Sequence, residues 1–168
     1  MARWNVKPPV ERVSKGFRIN LRKEERELVE RLLDELQALL VGPSDNPALR
    51  RVFPAAYHLA ENAEYDVEYQ RLMREDLVAS RLSAIITVKH ALSESAPLDE
   101  AQLVALMQSL NGLRLVIGTV LDVSEEDDPS DVDDDDPRAG EFHLYGYLSW
   151  LLEWTVRALD PGWDEDDE

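Results

Sequence analysis

Residues 98–123, which read LDEAQLVALMQSLNGLRLVIGTVLDV, form the longest strongly apolar stretch of the 168-residue chain. Apolar residues recur there at intervals of three and four, the spacing of one helix face: Leu103, Leu106, Met107, Leu110, Leu113, Ile117, Val120 and Leu121. Further apolar residues lie on the other faces, and a helix that is apolar almost all round is typical of the centre of a domain. We therefore predict an all-α fold organised around this helix.

Helical periodicity predicts further helices on both sides of the central one. They cover residues 22–41, 61–74, 75–93 and 141–159, and the third of these either continues or restarts the second. Pro47 suits the first position of a short additional helix, which Pro54 breaks or kinks. The sequence thus predicts a single-domain bundle of about five to six helices, and the length of the chain fits one domain.

The N-terminal residues lack helical periodicity. Residues 16–21 alternate apolar and polar side chains, which predicts either a short half-buried strand or an extended arm packed on the bundle. We accordingly divide the chain into a basic arm or short strand (1–21), a helical body (22–123), a disordered acidic loop (124–140), the last helix (141–160) and an acidic tail (161–168).

Charge is distributed unevenly along the chain, whose net charge is −17. Segments 122–137 and 160–168 are densely acidic and contain no Lys or Arg, so the remaining chain is close to neutral. A near-neutral body lacks the positively charged surface that is typical of a DNA-binding domain, and the sequence shows no recognition helix of the helix-turn-helix type. If DNA is bound, we expect the basic N-terminal segment to contact it, through Arg12, Lys15, Arg18, Arg22 and Lys23.

Composition excludes several kinds of chemistry. The chain has no cysteine, which rules out disulfides, thiol nucleophiles and zinc–thiolate sites. No phosphate-binding glycine loop or nucleophile elbow occurs, and we predict no enzymatic activity and no cofactor. The N-terminus lacks a signal-peptide pattern, and Arg114 interrupts the longest apolar run, so we predict a cytoplasmic protein.

Glu61, Glu64 and Glu68 form the sharpest candidate metal site. Carboxylates three and four residues apart share one face of a helix and suit magnesium, which prefers oxygen ligands. All-helical pyrophosphohydrolases that act on nucleotides combine such a pair with a second, similarly spaced pair. Here Glu75 and Asp76 are adjacent, so that second spacing is missing. A metal-dependent nucleotide hydrolase is therefore an alternative prediction, beside the simpler interpretation of a solvated helix face.

Arg114 lies among apolar residues of the central stretch. Its charge must be compensated if the side chain is buried. Either the side chain reaches the solvent from the edge of the helix, or it forms a structural ion pair with an acid in segment 61–76.

The last helix carries two apolar faces. One face can meet the bundle, and the other suits a second subunit. We predict a homodimer in which this second face contributes Leu144, Tyr147, Leu151 and Trp154.

The central stretch contains the motif Leu110-Asn111-Gly112-Leu113-Arg114-Leu115-Val116-Ile117-Gly118. Further motifs run from Gly16 to Leu21, from Asn46 to Tyr57 (NPALRRVFPAAY) and from Tyr147 to Leu151 (YLSWL). Together these motifs resemble an actinobacterial family long called a domain of unknown function, whose members are identified as AosR-type oxidative-stress transcriptional regulators.

The resemblance implies a protein encoded near a ClpS-type protease adaptor and cysteine-synthesis genes, which regulates transcription under oxidative stress. Regulation through cysteine oxidation cannot operate in this chain. We therefore predict a non-enzymatic regulator without thiol sensing, acting through protein partners such as the transcription machinery. The alternative is an acidic partner-binding adaptor whose loop, 122–137, occupies a basic site on another protein.

Overall fold

The structure, a computed structural model, describes residues 7–53, 63–124, 132–160 and 162. Two antiparallel strands, β1 (Val10–Val13) and β2 (Gly16–Ile19), precede four long helices. The helices are α1 (Lys23–Val41), α2 (Ala63–Ser93), α3 (Glu100–Leu121) and α4 (Ala139–Leu159). The described part of the chain is therefore mainly helical, as predicted.

The predicted count of five to six helices is wrong for the described residues. The two helices expected over 61–74 and 75–93 are one continuous helix, α2, because no glycine or proline interrupts them. The segment after Pro47 forms only a short 3-10 turn, Pro47–Leu49, in which the Asn46 side chain accepts a hydrogen bond from the Ala48 amide. That segment therefore adds no long helix to the bundle.

Helix α3 is the centre of the bundle, as its sequence predicted. It packs against α2 on one side and α4 on the other, and also contacts α1, the 3-10 turn and β2. Leu103 and Leu110 on α3 are completely buried. By length and composition alone α3 is apolar enough to cross a membrane, but half of its most apolar window is buried in the bundle. Core packing explains that apolar composition.

Both ends of α3 are fixed by local hydrogen bonds. At its start the Asp99 carboxylate accepts a hydrogen bond from the Gln102 amide, and the Gln102 side chain accepts one from the Asp99 amide. At its end Asp122 adopts a left-handed conformation, and its amide donates to the carbonyls of Gly118 and Thr119. Gly118 also lets α4 approach closely, since a Cβ there would lie 3.1 Å from Cε2 of Tyr145.

A hairpin takes the place of the lone strand or arm that we expected at the N-terminus. The predicted strand within 16–21 is present as β2, and its partner β1 pairs Val10 with Ile19 and Val13 with Gly16. The hairpin docks on the loop before α3 through reciprocal bonds, from the Phe17 amide to the Leu98 carbonyl (2.8 Å) and from the Leu98 amide to the Phe17 carbonyl (2.7 Å). The sequence did not reveal β1 because its four residues, VERV, are too few to establish an alternating pattern.

The last helix begins two residues earlier than predicted, at Ala139. Val123 and Val132 flank the acidic segment, and they pack in a small apolar cluster with Leu121 and Phe142. The predicted disordered loop includes residues 125–131, which lie outside the described residues, as does most of the predicted acidic tail.

Candidate interaction surfaces

Most of the predicted DNA-contacting cations are already engaged within the chain. Arg12 Nη2 donates to the Ala158 carbonyl at the end of α4 (3.0 Å), and its guanidinium lies over the Phe17 ring. The other contacts, all between exposed or partly exposed groups, are Arg18 with Glu11, Arg22 with Glu25 and Lys23 with Glu27. Lys15, at the hairpin turn, is exposed. DNA contact by these residues stays a prediction, and at Arg12 it would compete with the capping of α4.

Arg26 is a structural residue that the sequence analysis missed. It donates through Nη2 to the Ile19 carbonyl (2.8 Å), through Nη1 to the Leu92 carbonyl (3.1 Å) and through Nε to the Leu21 carbonyl (3.3 Å). These bonds join the hairpin and α1 to the C-terminal end of α2. No sequence signal distinguishes Arg26 from the other charged residues at the start of α1, because its acceptors are backbone atoms brought together only by folding.

The predicted second face of α4 is largely covered by the chain itself. Leu151 is completely buried, which leaves no surface for a second subunit, so its assignment to an interface is wrong. Leu144 and Tyr147 are partly buried against the core, and the ring of Trp154 is covered by the Arg157 guanidinium at 5.2 Å. This face of α4 is covered because both α3 and β1 pack on the helix. The homodimer itself stays a prediction.

Tyr147 couples α4 to the start of α1. Its hydroxyl donates to Oε1 of Glu25 at 3.4 Å, and its ring lies 5.9 Å from that of Trp150. Burial, together with the neighbouring Glu25 carboxylate, raises the pKa of Tyr147 to about 12 from its usual 10.

The raised pKa of Tyr147 predicts a loss of stability in alkaline solution. The folded protein keeps this proton while the unfolded chain releases it near pH 10, so the stabilisation is complete below pH 10. It should be lost progressively between about pH 10 and pH 12. Urea unfolding should show that the free energy of unfolding falls as the pH rises across this range. Tyr147→Phe should make that fall with pH less steep. An equal fall of stability with pH in the wild type and in Tyr147→Phe would contradict the prediction. Tyr69→Phe, at an exposed tyrosine, is the matched control and should leave the fall unchanged.

Arg114 faces a surface groove beside α4. The groove has a volume of about 310 Å³ and is lined by Arg114, Ser149, Leu152, Glu153, Val156, Arg157 and Asp160. Among the described side chains no acid lies within ion-pairing distance of Arg114. The predicted ion pair with segment 61–76 is therefore not formed by the acids described there, because the side chain of Arg114 lies toward α4 instead. Glu153, another residue that lines the groove, accepts a hydrogen bond from Nη2 of Arg157 at 2.7 Å.

The predicted metal site falls largely on residues that the structure does not describe. Glu61 lies outside the described residues, and the side chain of Glu64 does too. Glu68 is exposed and lies 3.9 Å from Arg71. Across residues 7–53, 63–124 and 132–160, no group of three His, Cys, Asp or Glu side chains is arranged to hold a metal ion. Metal binding by the glutamates thus stays untested.

The first half of α2 carries an exposed apolar stripe. Tyr69, Leu72, Met73 and Leu77 are between 39% and 53% exposed. Their spacing of three and four places them along one side of the helix. Asp76 is three residues from Met73 and four from Leu72, so it lies on the same side of the helix, and Glu75 lies at the border of that side. Neither acid has an ion pair with a described side chain, whereas Arg71 lies beside Glu68 and Arg74 lies over the Phe53 ring. The stripe is therefore a row of apolar side chains that also holds an uncompensated carboxylate; we call it the α2 stripe.

Comparison with protein families matches residues 3–159 of the chain to one family, described as "Domain of unknown function (DUF2017)". The comparison with curated proteins and the comparison with solved structures found no significant match.

Proposed function

Because the chain belongs to the DUF2017 family, whose description assigns no function, we propose from its surface that it is a non-enzymatic regulatory protein that acts by docking a protein partner. The observation that carries the proposal is the α2 stripe. Soluble monomers rarely leave several large apolar side chains exposed along one side of a helix, and such surfaces mark interaction sites. The partner expected from the earlier resemblance is a component of transcription during oxidative stress, recognised without thiol chemistry.

The charge at the stripe suggests the chemistry of the partner. Since the neighbouring arginines are engaged, Glu75 and Asp76 leave the stripe with a negative charge. A helix that presents an apolar row flanked by Lys or Arg complements this surface in both respects. A second copy of the chain fits less well, because each copy carries a net charge of −17 and would bring the same negatively charged stripe to the contact.

The proposal predicts that a basic amphipathic helix binds at the α2 stripe. A labelled synthetic peptide of leucines on one face and lysines on the other can be titrated by fluorescence anisotropy. We expect the Leu72→Ser/Met73→Ser double variant to bind at least about tenfold more weakly, because one or two lost apolar contacts are each worth about 1–3 kcal/mol. Asp76→Lys should also weaken binding and should flatten its dependence on salt.

Ile86→Ser is the matched control. Ile86 is 61% exposed on the same helix but lies off the stripe. Equal affinity of the double variant and the Ile86 variant would refute docking at the stripe. Light scattering of the same samples tests the homodimer: a doubled mass that the double variant abolishes would assign the stripe to self-association instead.

The adaptor alternative concerns the acidic segment between α3 and α4. A deletion that tests it should spare Asp122 and Val123, because Asp122 ends α3 near Arg50 and Arg51, and Val123 is buried. Removing residues 125–131 should abolish capture of a basic partner if the segment is the docking element. If only the stripe variants lose that partner, the α2 stripe is the docking element.

The regulatory role itself needs a cellular readout. In cells that lack the gene, transcript levels after peroxide treatment should differ from those of the parent, and the wild-type protein should restore them. We expect the Leu72→Ser/Met73→Ser variant to fail in this complementation while the Ile86→Ser variant succeeds. Identical peroxide responses with and without the gene would reject the role in oxidative stress but not the docking surface.

A further inference from the structure

The groove beside α4 is large enough for a small organic ligand. Its volume of about 310 Å³ is at the lower end of the range for small-molecule sites, which is about 300–1,000 Å³. The two helices that form it are antiparallel, since Leu121 packs with Phe142, whereas Gly118, one turn earlier, lies against Tyr145, one turn later. The groove therefore follows the line of contact between α3 and α4.

Arg114 is the charged group at one end of the groove. The antiparallel register places it beside Ser149, and both residues line the groove. The side chain of Arg114 has no hydrogen bond or ion pair with another described residue. None of its nitrogens is among the buried atoms that lack a hydrogen-bond partner. The guanidinium is therefore both uncommitted and accessible to a molecule in the groove.

The other charged groups of the groove do not supply a second free cation. Arg157 donates to Glu153 at 2.7 Å, so their charges compensate each other. Asp160 accepts a hydrogen bond from the Gly162 amide at 3.0 Å and keeps its negative charge. It lies three turns beyond Ser149 on α4, a distance of about 16 Å at 1.5 Å per residue. The groove is consequently positive at one end and negative at the other.

The wall of the groove between these ends is apolar. Leu152 and Val156 both line the groove, and their spacing of four residues places them on the same side of α4. Val156 is 45% exposed, so a ligand can cover apolar surface that water now contacts. This wall suits a hydrocarbon chain that lies along the helix.

We propose that the groove binds a straight-chain monocarboxylate of the size of octanoate. The carboxylate accepts two parallel hydrogen bonds from the guanidinium of Arg114, and the hydrocarbon chain covers Leu152 and Val156. A dicarboxylate fits less well, because its second charge approaches Asp160. An alcohol of the same length lacks the charge that Arg114 recognises. The site lies across α3 from α2 and does not depend on docking at the α2 stripe.

Isothermal titration calorimetry with butyrate, hexanoate and octanoate tests the proposal. We expect affinity to rise about two- to fourfold for each added methylene, because full burial of one methylene is worth about fourfold. Hexan-1-ol should bind at least about tenfold more weakly than hexanoate, since hydrogen bonds to charged groups are among the strongest. Suberate should bind more weakly than octanoate. Absence of octanoate binding, or equal affinity for octanoate and suberate, would overturn the proposal.

Arg114→Gln should weaken octanoate binding at least about tenfold, whereas Arg31→Gln, which removes an exposed arginine of α1, should leave it unchanged. Val156→Ser should reduce the gain in affinity per methylene, and Val120→Ser, at an exposed valine of α3, should not. Each of these side chains is at least partly exposed, so we expect the unfolding midpoint without ligand to change little. Equal octanoate affinity in the wild type and Arg114→Gln would overturn the proposal.

The Leu72→Ser/Met73→Ser variant separates the groove from the α2 stripe. It should bind octanoate as the wild type does, because neither residue lines the groove. Octanoate should also raise the unfolding midpoint of this variant, since a ligand that binds only the folded state stabilises it. Octanoate binding that this variant loses and Arg114→Gln keeps would place the ligand at the α2 stripe and would overturn the proposal.

Discussion

Leu110→Ala is expected to lower the free energy of unfolding by about 2–5 kcal/mol, the range for removing a buried leucine side chain from a packed core. Leu110 is completely buried on α3, and because α3 packs against both α2 and α4, the helices cannot easily move to close the cavity. The loss should appear in urea unfolding as a lower midpoint with an unchanged slope.

Val120→Ala, on the same helix, is the control for Leu110→Ala. Val120 is 66% exposed, and the substitution should change stability by no more than about 0.5 kcal/mol. Comparable losses for the two variants would mean that α3 is not the buried centre of the bundle.

Gly16→Ala is expected to be the most damaging substitution outside the core. Gly16 has φ of +133°, a conformation that costs an L-residue about 1–3 kcal/mol. In addition, an added Cβ would lie 2.2 Å from the Leu98 carbonyl oxygen, so backbone would have to shift. We expect a loss of about 3 kcal/mol or more in urea unfolding, together with faster hydrogen exchange at the amides of Phe17 and Leu98.

Gly140→Ala is the matched control, because no atom lies within 4 Å of a Cβ at that position in the first turn of α4. It should raise stability by about 0.4–1 kcal/mol by restricting the unfolded chain. If Gly16→Ala were equally well tolerated, the hairpin would not be held against the loop before α3.

The strongest periodic signals predicted the fold well. The spans of α1, α3 and α4 agree with their apolar patterns to within about two residues, and α3 is central because its apolar residues occur on every face. The number of helices was wrong because periodicity does not indicate where one helix ends when no Gly or Pro intervenes, as in α2. The β1 strand was missed because four residues cannot establish an alternating pattern.

Surfaces were harder to predict than helices. Leu151 looked available to a second subunit, but β1, whose presence the sequence did not reveal, packs on the same helix and Leu151 is buried. Arg26 looks like an ordinary helix residue in the sequence. Its importance depends on carbonyl groups contributed by distant segments, which a one-dimensional pattern does not contain.

The contact between Arg12 and the end of α4 has a consequence for biosynthesis. It joins atoms separated by 146 residues along the chain, and β1 as a whole packs on the last helix. A growing polypeptide therefore cannot bury its first strand until nearly all of the chain has left the ribosome. Long-range closure of this kind slows folding and prolongs the exposure of apolar surface. Nascent chains that stall before α4 should consequently be good substrates for cellular proteases.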